Sequence, residues 1–311
     1  TVQYGDTMIM ATAVKSKNEK DLDFFPLSVS LEERLYAAGR IKGSRFIKRE
    51  GRPSEESILN GRVVDRSIRP LFDDSVRNEI QIVLTALSVD GENDATICSL
   101  IAASVALSIS SIRWEGPLAA ARIGMDDEGK FILNVTQKQL EENNKLDVII
   151  AGTKEKLVMV EAGASEVDES TMYEAMTWGA EQLVPALDLI KKIQSEIGLE
   201  KDALPEVDEE KESIKALVKD FIFAQADTLI FDTLKHTRKE RSAMVAGVKE
   251  AAKAMLDEKG IEEDKQSVGL KKVKDFVANV ITKRILDADQ RLDGRSLTDL
   301  RALTSEIDLI P

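Results

Sequence analysis

The chain has 311 residues, 43% of them hydrophobic and 32% charged, and a formal net charge of −13. This is the balance of an ordinary soluble globular protein with about two domains and enough apolar side chains for a core. The single cysteine, Cys98, excludes an internal disulfide, and the single histidine, His236, excludes a site built on paired histidines. No apolar run approaches the roughly 18 residues of a membrane span. We therefore expect no membrane segment and a cytoplasmic location.

Residues 1–200 alternate strands and helices. The opening residues predict strand, turn, strand, with the turn at "YGDT", residues 4–7. Residues 79–89 have apolar side chains at both odd and even positions, and they therefore predict a strand buried on both faces. "ATICSLIAASVALSIS" predicts a helix buried in the core. Hairpins are predicted through 126–129 and 152–154, and a helix over 168–197. This order indicates an α+β domain rather than a parallel βαβ array.

The composition changes at residues 201–212. "KDALPEVDEEKE" is charged, contains a proline and has little to bury, so we predict a linker. Residues 213–286 contain no proline and predict an all-helical domain with helical runs over 214–237, 238–259 and 270–286. The chain begins within a strand pattern without a methionine and ends in the strand-like "SEIDLIP". We interpret it as part of a longer protein.

A basic cluster occupies residues 40–69. It holds nine basic and four acidic residues, about +5 in a chain of net charge −13, and such a local asymmetry is typical of an anion site. Arg40, Arg45, Arg49 and Arg52 contribute forked guanidinium groups, which suit phosphate better than the ammonium group of lysine. Phe46, placed among the basic residues, could stack a nucleic-acid base.

A helix follows this cluster, capped by Ser54 and ending near Arg69 because Pro70 disfavours its continuation. Arg62, Arg66 and Arg69 fall at i, i+4 and i+7 and share one face of the helix. The residues leave an alternative open. It is a solvated loop, with arginines that pair with neighbouring acids at positions 55 and 65.

Two acidic segments are candidates for chemistry. The loop "VDGEND" precedes a helix, where backbone N–H groups often hold phosphate. Its carboxylates would repel phosphate, and Asp94 can cap the helix itself, so we assign the loop a structural role. Glu141, Glu142 and Asp147 could bind magnesium, although a polar loop before a strand is the interpretation we favour. Glu161 fits a structural hydrogen-bond acceptor.

An ordered series of segments resembles the polynucleotide phosphorylase family. The matching segments are "YGDT", "FFPLSV", "REGRPSE", "GRVVDRSIRPLF", "ALSVDGEND", "VALSIS", "GPLAAARIG", "VIIAGT" and "VMVEAGASEV". "RLDGRSLTDLR" resembles the opening of that family's second RNase PH domain. The resemblance implies an RNase PH-like (ribosomal S5 domain 2-like) domain over 1–200, the linker 201–212, a small all-α domain over 213–286 and the start of a second RNase PH-like domain over 287–311.

The resemblance also implies a function. The family degrades single-stranded RNA from its 3′ end by phosphorolysis, with inorganic phosphate as co-substrate and Mg²⁺ as cofactor, and releases nucleoside diphosphates. It assembles as a homotrimer and joins RNA degradosome proteins. An aromatic and basic loop before "EGRP" grips the RNA, and here it reads Phe46-Ile47-Lys48-Arg49. The expected RNA-binding residues are Phe46, Lys48, Arg49, Arg52, Arg62, Arg66 and Arg69.

The same resemblance implies that this part of the family carries no catalysis. The family's active site lies in the second RNase PH domain, with a serine-rich phosphate loop and an acid-acid-lysine set. The matching positions here are the loop 91–95 and Glu141, Asp147 and Ile149. We therefore expect no catalytic residue, bound metal or other cofactor in this chain. The alternative is a stand-alone, non-catalytic RNA-binding subunit of an exosome-like ring.

Overall fold

The computed structural model describes residues 1–20, 22, 24–41, 43, 51–142, 145–204 and 208–307. The chain forms two compact units, Thr1–Pro205 and Glu206–Pro311. Each unit has its own buried hydrophobic core.

The first sheet of the N-terminal unit contains four strands in the order β1-β2-β4-β3. Their bounds are Val2–Tyr4 (β1), Thr7–Glu19 (β2), Leu27–Glu33 (β3) and Asn78–Ser88 (β4). β3 runs parallel to β4, and the other pairs are antiparallel. The predicted opening hairpin is confirmed. The predicted strand over 79–89 is also confirmed, but Glu79 and Gln81 are exposed, so the strand is not buried on both faces.

The second sheet is antiparallel, with the order β6-β5-β7-β8. Its strands are Ala119–Met125 (β5), Phe131–Leu133 (β6), Leu146–Gly152 (β7) and Leu157–Ala164 (β8). Both predicted hairpins are confirmed. The first turn contains Gly129 at φ +84°, a left-handed conformation that glycine adopts without strain.

The helices of this unit build layers against the two sheets. They are Glu55–Ile68 (α1), Ala95–Ile109 (α2), Gln137–Glu142 (α3), Glu169–Gln182 (α4) and Val184–Ile197 (α5), with short 3₁₀ helices at Leu35–Ala38 and Arg69–Leu71. α1 and α2 share the main core with the inner face of the first sheet and one face of the second. α4 and α5 pack on the other face of the second sheet. The α+β fold is thereby confirmed.

The predicted helix over 168–197 is two helices that meet at Leu183. Asp168 caps the first of them, as its side chain accepts a hydrogen bond from Thr171 N. Pro185 lies in the first turn of α5. A proline ring clashes with the carbonyl four residues earlier and has no N–H to donate, so one continuous helix cannot run through this position.

The chain that leaves α5 is tied to the C-terminal end of α2. Leu199 N donates to Ile109 O at 3.0 Å. The Lys201 Nζ donates to the carbonyls of Leu107, Ser108 and Ser110 at 2.6–3.0 Å. A helix leaves its last carbonyls without intrahelical partners, and this lysine satisfies three of them. Burial lowers the pKa of Lys201, against the opposing effect of Asp202.

The C-terminal unit is helical, as the sequence predicts, but its helices are shorter and more numerous. They are Glu209–Ala224 (α6), Ala226–Leu229 (α7), Arg238–Glu258 (α8), Glu263–Leu270 (α9) and Val273–Ala288 (α10). α6 starts inside the segment predicted as a linker, because Asp208 caps it by accepting from Lys211 N. Residues 305–307, the described part of the strand-like "SEIDLIP", have no regular secondary structure. None of the helices described in either unit is long and apolar enough to cross a membrane.

Candidate RNA interface and an acidic pocket

The basic face predicted on α1 forms, but its three arginines differ in their surroundings. The helix begins where predicted, as the Ser54 hydroxyl accepts from Ser57 N at 2.9 Å. Val63, Val64 and Ile68 are buried in the main core, which turns the opposite face of α1 outwards. Arg62 and Arg66 are exposed on that face.

Arg69 is held by groups of its own unit. Its guanidinium donates to both carboxylate oxygens of Asp65, at 2.6 and 2.9 Å, and to the carbonyls of Phe25 and Leu27 at 3.3 and 3.1 Å. Arg66 donates to the carboxylate of Glu161 on β8. The Arg69–Asp65 pair is the ion-paired alternative that the sequence left open, whereas Arg66 pairs with an acid outside that segment. The Arg66 pair also confirms Glu161 as a hydrogen-bond acceptor.

The remaining predicted RNA contacts precede α1 in the sequence. Phe46, Lys48 and Arg49 lie outside the described residues. Arg52 is exposed and lines an open cavity of about 1120 Å³ together with Arg40. Of the predicted RNA contacts, Arg52 and Arg62 are therefore exposed and form no ion pair with the residues that the structure describes.

A second site, here called the acidic pocket, lies between α2 and the second sheet. It is a polar cavity of about 310 Å³, lined among others by Asp94, Arg122 and Asp147. Arg122 on β5 donates from Nε and Nη2 to the two oxygens of Asp147 on β7, both at 2.7 Å. Its Nη1 donates to Asp94, the residue that caps α2, at 2.9 Å. One guanidinium thus bridges both carboxylates.

Burial sets the electrostatics of the acidic pocket. The side chains of Arg122 and Asp94 are 20% and 13% exposed, and that of Asp147 is 34% exposed. Hydrogen bonding to Asp147 raises the pKa of Arg122, assisted by the charge of Asp94, against the effect of burial. The cation is therefore fixed in its charged form, and it offsets one of the two negative charges of Asp94 and Asp147.

The N–H groups of the loop before α2 donate hydrogen bonds to a carboxylate of the same loop. Asp90 accepts from the backbone N–H groups of Glu92 and Asn93, at 3.0 and 2.8 Å, and from Asn93 Nδ2. It also accepts from Asp6 N at 3.1 Å and from the Thr7 hydroxyl at 3.0 Å. Burial alone would raise the pKa of Asp90, but these hydrogen bonds, from Asn93 first, lower it well below its usual range.

The residues of the acidic pocket do not fit Mg²⁺ or phosphate. Of the four carboxylates that line it, Asp94 and Asp147 already hold a guanidinium and Glu161 accepts from Arg66. The loop N–H groups that could bind phosphate donate to Asp90, and Thr96 N donates to Asp94 at 2.6 Å. Among the described residues there is no group of three or more His, Cys, Asp or Glu placed to hold a metal. Glu141 lies exposed on α3, and its carboxylate accepts a hydrogen bond from the Gln137 side chain at 3.3 Å.

Sequence reasoning missed Arg122. A signal was present, because Arg122 is the one charged residue within "GPLAAARIGM", a run that forms a strand buried on nearly all its positions. A charge in such a strand requires a partner of opposite sign. The sequence could not identify that partner, because Asp94 and Asp147 lie 28 and 25 residues away along the chain.

Comparison with known proteins assigns the N-terminal unit to a family. Residues 1–113 match domain 1 and residues 116–182 match domain 2 of the 3′ exoribonuclease family. Together these matches cover more than half of the chain. The chain belongs to the 3′ exoribonuclease family.

Three curated relatives are similar over the whole chain. Polyribonucleotide nucleotidyltransferase of Bacillus pumilus is 40% identical over 317 residues, that of Bacillus subtilis 39% over 313, and that of Gluconobacter oxydans 39% over 312. The chain spans 42–43% of the length of these relatives. Among solved structures, rice (Oryza sativa) Rrp46 matches with a TM-score of 0.51 and 12% identity, covering 62% of this chain and 86% of that one. At that identity the likeness shows the fold alone.

Proposed function

We propose that this chain is the RNA-guiding, non-catalytic N-terminal part of a polyribonucleotide nucleotidyltransferase. The whole enzyme would degrade single-stranded RNA from its 3′ end by phosphorolysis and release nucleoside diphosphates in messenger RNA turnover. The observation that carries this proposal is the Arg122 guanidinium between Asp94 and Asp147. This guanidinium occupies two carboxylates that a metal would need. Both carboxylates lie at positions that, by the family resemblance, match the active site of the second RNase PH domain.

The chemistry of the whole enzyme then belongs to residues outside this chain. Mg²⁺ and inorganic phosphate would act there, since Asp94, Asp147 and the N–H groups of the loop 91–95 already have partners within the acidic pocket. The division into a domain over 1–200, a linker over 201–212, a helical domain over 213–286 and the start of a second RNase PH-like domain at 287–311 belongs to the same proposal. So do the homotrimer, the degradosome partners and the cytoplasmic location.

The RNA-guiding surface would comprise Phe46, Lys48 and Arg49 together with Arg52 and Arg62. Single-stranded RNA binders combine a basic groove with stacking aromatic side chains. Arg66 and Arg69 belong to the proposed surface as well, but each must first exchange its present carboxylate for a phosphate. We therefore expect them to contribute less to RNA affinity than Lys48 and Arg49.

The test is an RNA-binding and phosphorolysis experiment on the 311-residue chain. Labelled single-stranded RNA is titrated at several salt concentrations, and separately incubated with phosphate and Mg²⁺ to measure nucleoside diphosphate release. We expect binding without release. Replacing Lys48 and Arg49 with Ala should weaken binding and reduce its salt slope by about 1–2.

The matched control is the replacement of Lys191 and Lys192, two exposed residues on α5, with Ala. These changes remove the same amount of charge from another surface and should leave the affinity and salt slope close to those of the wild type. Equal effects in both double variants would contradict the assigned surface. Phosphate-dependent release by the purified chain would contradict the non-catalytic role.

The stand-alone subunit of an exosome-like ring is the weaker candidate. Its only support is the likeness to Rrp46, which concerns the fold. The relatives at about 40% identity favour the polyribonucleotide nucleotidyltransferase.

A further inference from the structure

The acidic pocket keeps an excess of negative charge. It is lined by four carboxylates, those of Glu56, Asp94, Asp147 and Glu161. Arg122 bridges two of them, and Arg66 pairs with a third. The fourth, Glu56, forms no ion pair with any residue that the structure describes. Two negative charges of this cluster are therefore not offset by a cation within it, and they attract a cationic ligand.

A buried hydroxyl in the same pocket also lacks a partner. Thr96 lines the cavity and is 4% exposed. Its backbone N–H donates to Asp94 at 2.6 Å, whereas its side-chain hydroxyl forms no hydrogen bond within the described part of the chain. The side-chain amide of Asn60, which also lines the cavity, likewise has no partner among the residues described. A buried polar group without a partner costs free energy, so the pocket favours a ligand that forms hydrogen bonds.

The free hydrogen-bonding positions of the pocket suit N–H donors better than a metal ion. Asp94 and Asp147 each accept two hydrogen bonds, and a carboxylate has about four lone-pair positions. An ammonium group donates up to three hydrogen bonds, so it can share these oxygens with Arg122. Mg²⁺ requires near-ideal octahedral oxygen ligands at about 2.0–2.1 Å, so it would have to displace the guanidinium.

We propose that the acidic pocket binds a short aliphatic diamine in its doubly protonated form. Its two ammonium groups match the two uncompensated charges, one beside the exposed Glu56 and the other beside Asp94 and Thr96, which are less exposed. Ile149 and Ala162 in the wall of the pocket offer apolar contacts to the methylene chain between them. The cavity of about 310 Å³ is at the lower end of the range for ligand pockets, about 300–1,000 Å³. The inference goes beyond the proposed function and does not depend on RNA binding.

The experiment measures the binding of 1,4-diaminobutane to the 311-residue chain by isothermal titration calorimetry, without RNA. The wild type is compared with Glu56→Gln, with Thr96→Val and with the matched control Glu55→Gln. Glu55 and Glu56 are both exposed in the first turn of α1, but only Glu56 lines the pocket. The control therefore removes the same charge from the same end of the helix. Butylamine, which has the same chain length and one ammonium group, is the control ligand, and urea midpoints show that each variant is folded.

We expect saturable binding of the diamine by the wild type, and binding of butylamine that is roughly tenfold weaker. Glu56→Gln and Thr96→Val should each weaken diamine binding about 3- to 10-fold, because each removes one partner of the ligand. Glu55→Gln should bind like the wild type.

Three results would overturn the inference. They are the absence of saturable binding, equal affinities for the diamine and butylamine, and equal affinities of the Glu55→Gln and Glu56→Gln variants. The last result would show that the diamine is attracted only by the net charge of −13. RNA binding is measured separately on the same proteins. A chain that binds RNA but not the diamine refutes only this inference, and a chain that binds the diamine but not RNA refutes only the proposed function.

Discussion

Replacement of Arg122 with Met should destabilise the N-terminal unit by about 2–3 kcal/mol. The change leaves Asp94 and Asp147 without the three charge-assisted hydrogen bonds at 2.7–2.9 Å. Removing one partner of a fully buried ion pair costs about 3–5 kcal/mol. Water reaches the 34% exposed side chain of Asp147, so the expected cost falls below that range. For a unit of this size the melting temperature should fall by about 4–12 °C.

Tryptophan fluorescence during urea unfolding measures this effect in the correct unit, because both tryptophans, Trp114 and Trp178, lie in it. The matched control is Arg66→Met. That residue pairs with Glu161 in an exposed ion pair, with side chains 54% and 51% exposed, and such pairs contribute about 0–1 kcal/mol.

Adding Asp147→Asn to Arg122→Met should restore part of the lost stability, since it removes one of the two unpaired charges. The reasoning is refuted if Arg122→Met unfolds at the same urea concentration as Arg66→Met, or if the double variant shows no recovery.

Two further predictions concern the loop before α2 and the helix itself. The lowered pKa of Asp90 contributes stability that is present above its unfolded pKa of about 3.9 and is lost as the pH falls towards the folded value. Asp90→Asn should therefore lower the free energy of unfolding by about 1–2 kcal/mol at pH 7 and by less below pH ~4. Urea midpoints of wild type and variant that differ by the same amount at pH 7 and below pH ~4 would contradict this. Burial, reinforced by Asp94 and Asp90, raises the pKa of Cys98 to about 11. A thiol reagent at pH ~8 should thus react about 100-fold more slowly with the native chain than with the urea-unfolded chain, and equal rates would show that the thiol is accessible.

The elements with strong local signals could be predicted from the sequence. The cap of α1 at Ser54, the buried α2 and both hairpins of the second sheet depend on residues close together in the chain, and the structure has them where the pattern predicts. The C-terminal unit was predicted less well. Its first helical run ends at Ala224 rather than Thr237, because the later residues are fixed by distant contacts. Lys235 N, for example, donates to the carbonyl of Leu292 at 2.8 Å.

The acidic pocket likewise depends on contacts between distant residues, which the sequence alone could not predict. The sequence indicated that the loop 91–95 would reject phosphate, and the carboxylates of that loop were sufficient for the argument. It could not reveal that Arg122 holds Asp94 and Asp147, since β5 and β7 become neighbours only through the strand register that pairs Arg122 with Ile149. Nor could it show which arginines of α1 are already paired, because Arg66 meets its partner 95 residues further along the chain.

The hydrogen bonds of Asp90 have a consequence for the order of events in folding. They connect the opening turn at Asp6 and Thr7 to a loop more than 80 residues away, so they form only once β2 has paired with β4. Contacts across such a separation close late, after the cost in chain entropy has been met. Interactions absent from the transition state control the unfolding rate rather than the folding rate. We therefore expect Asp90→Asn to speed unfolding more than it slows folding.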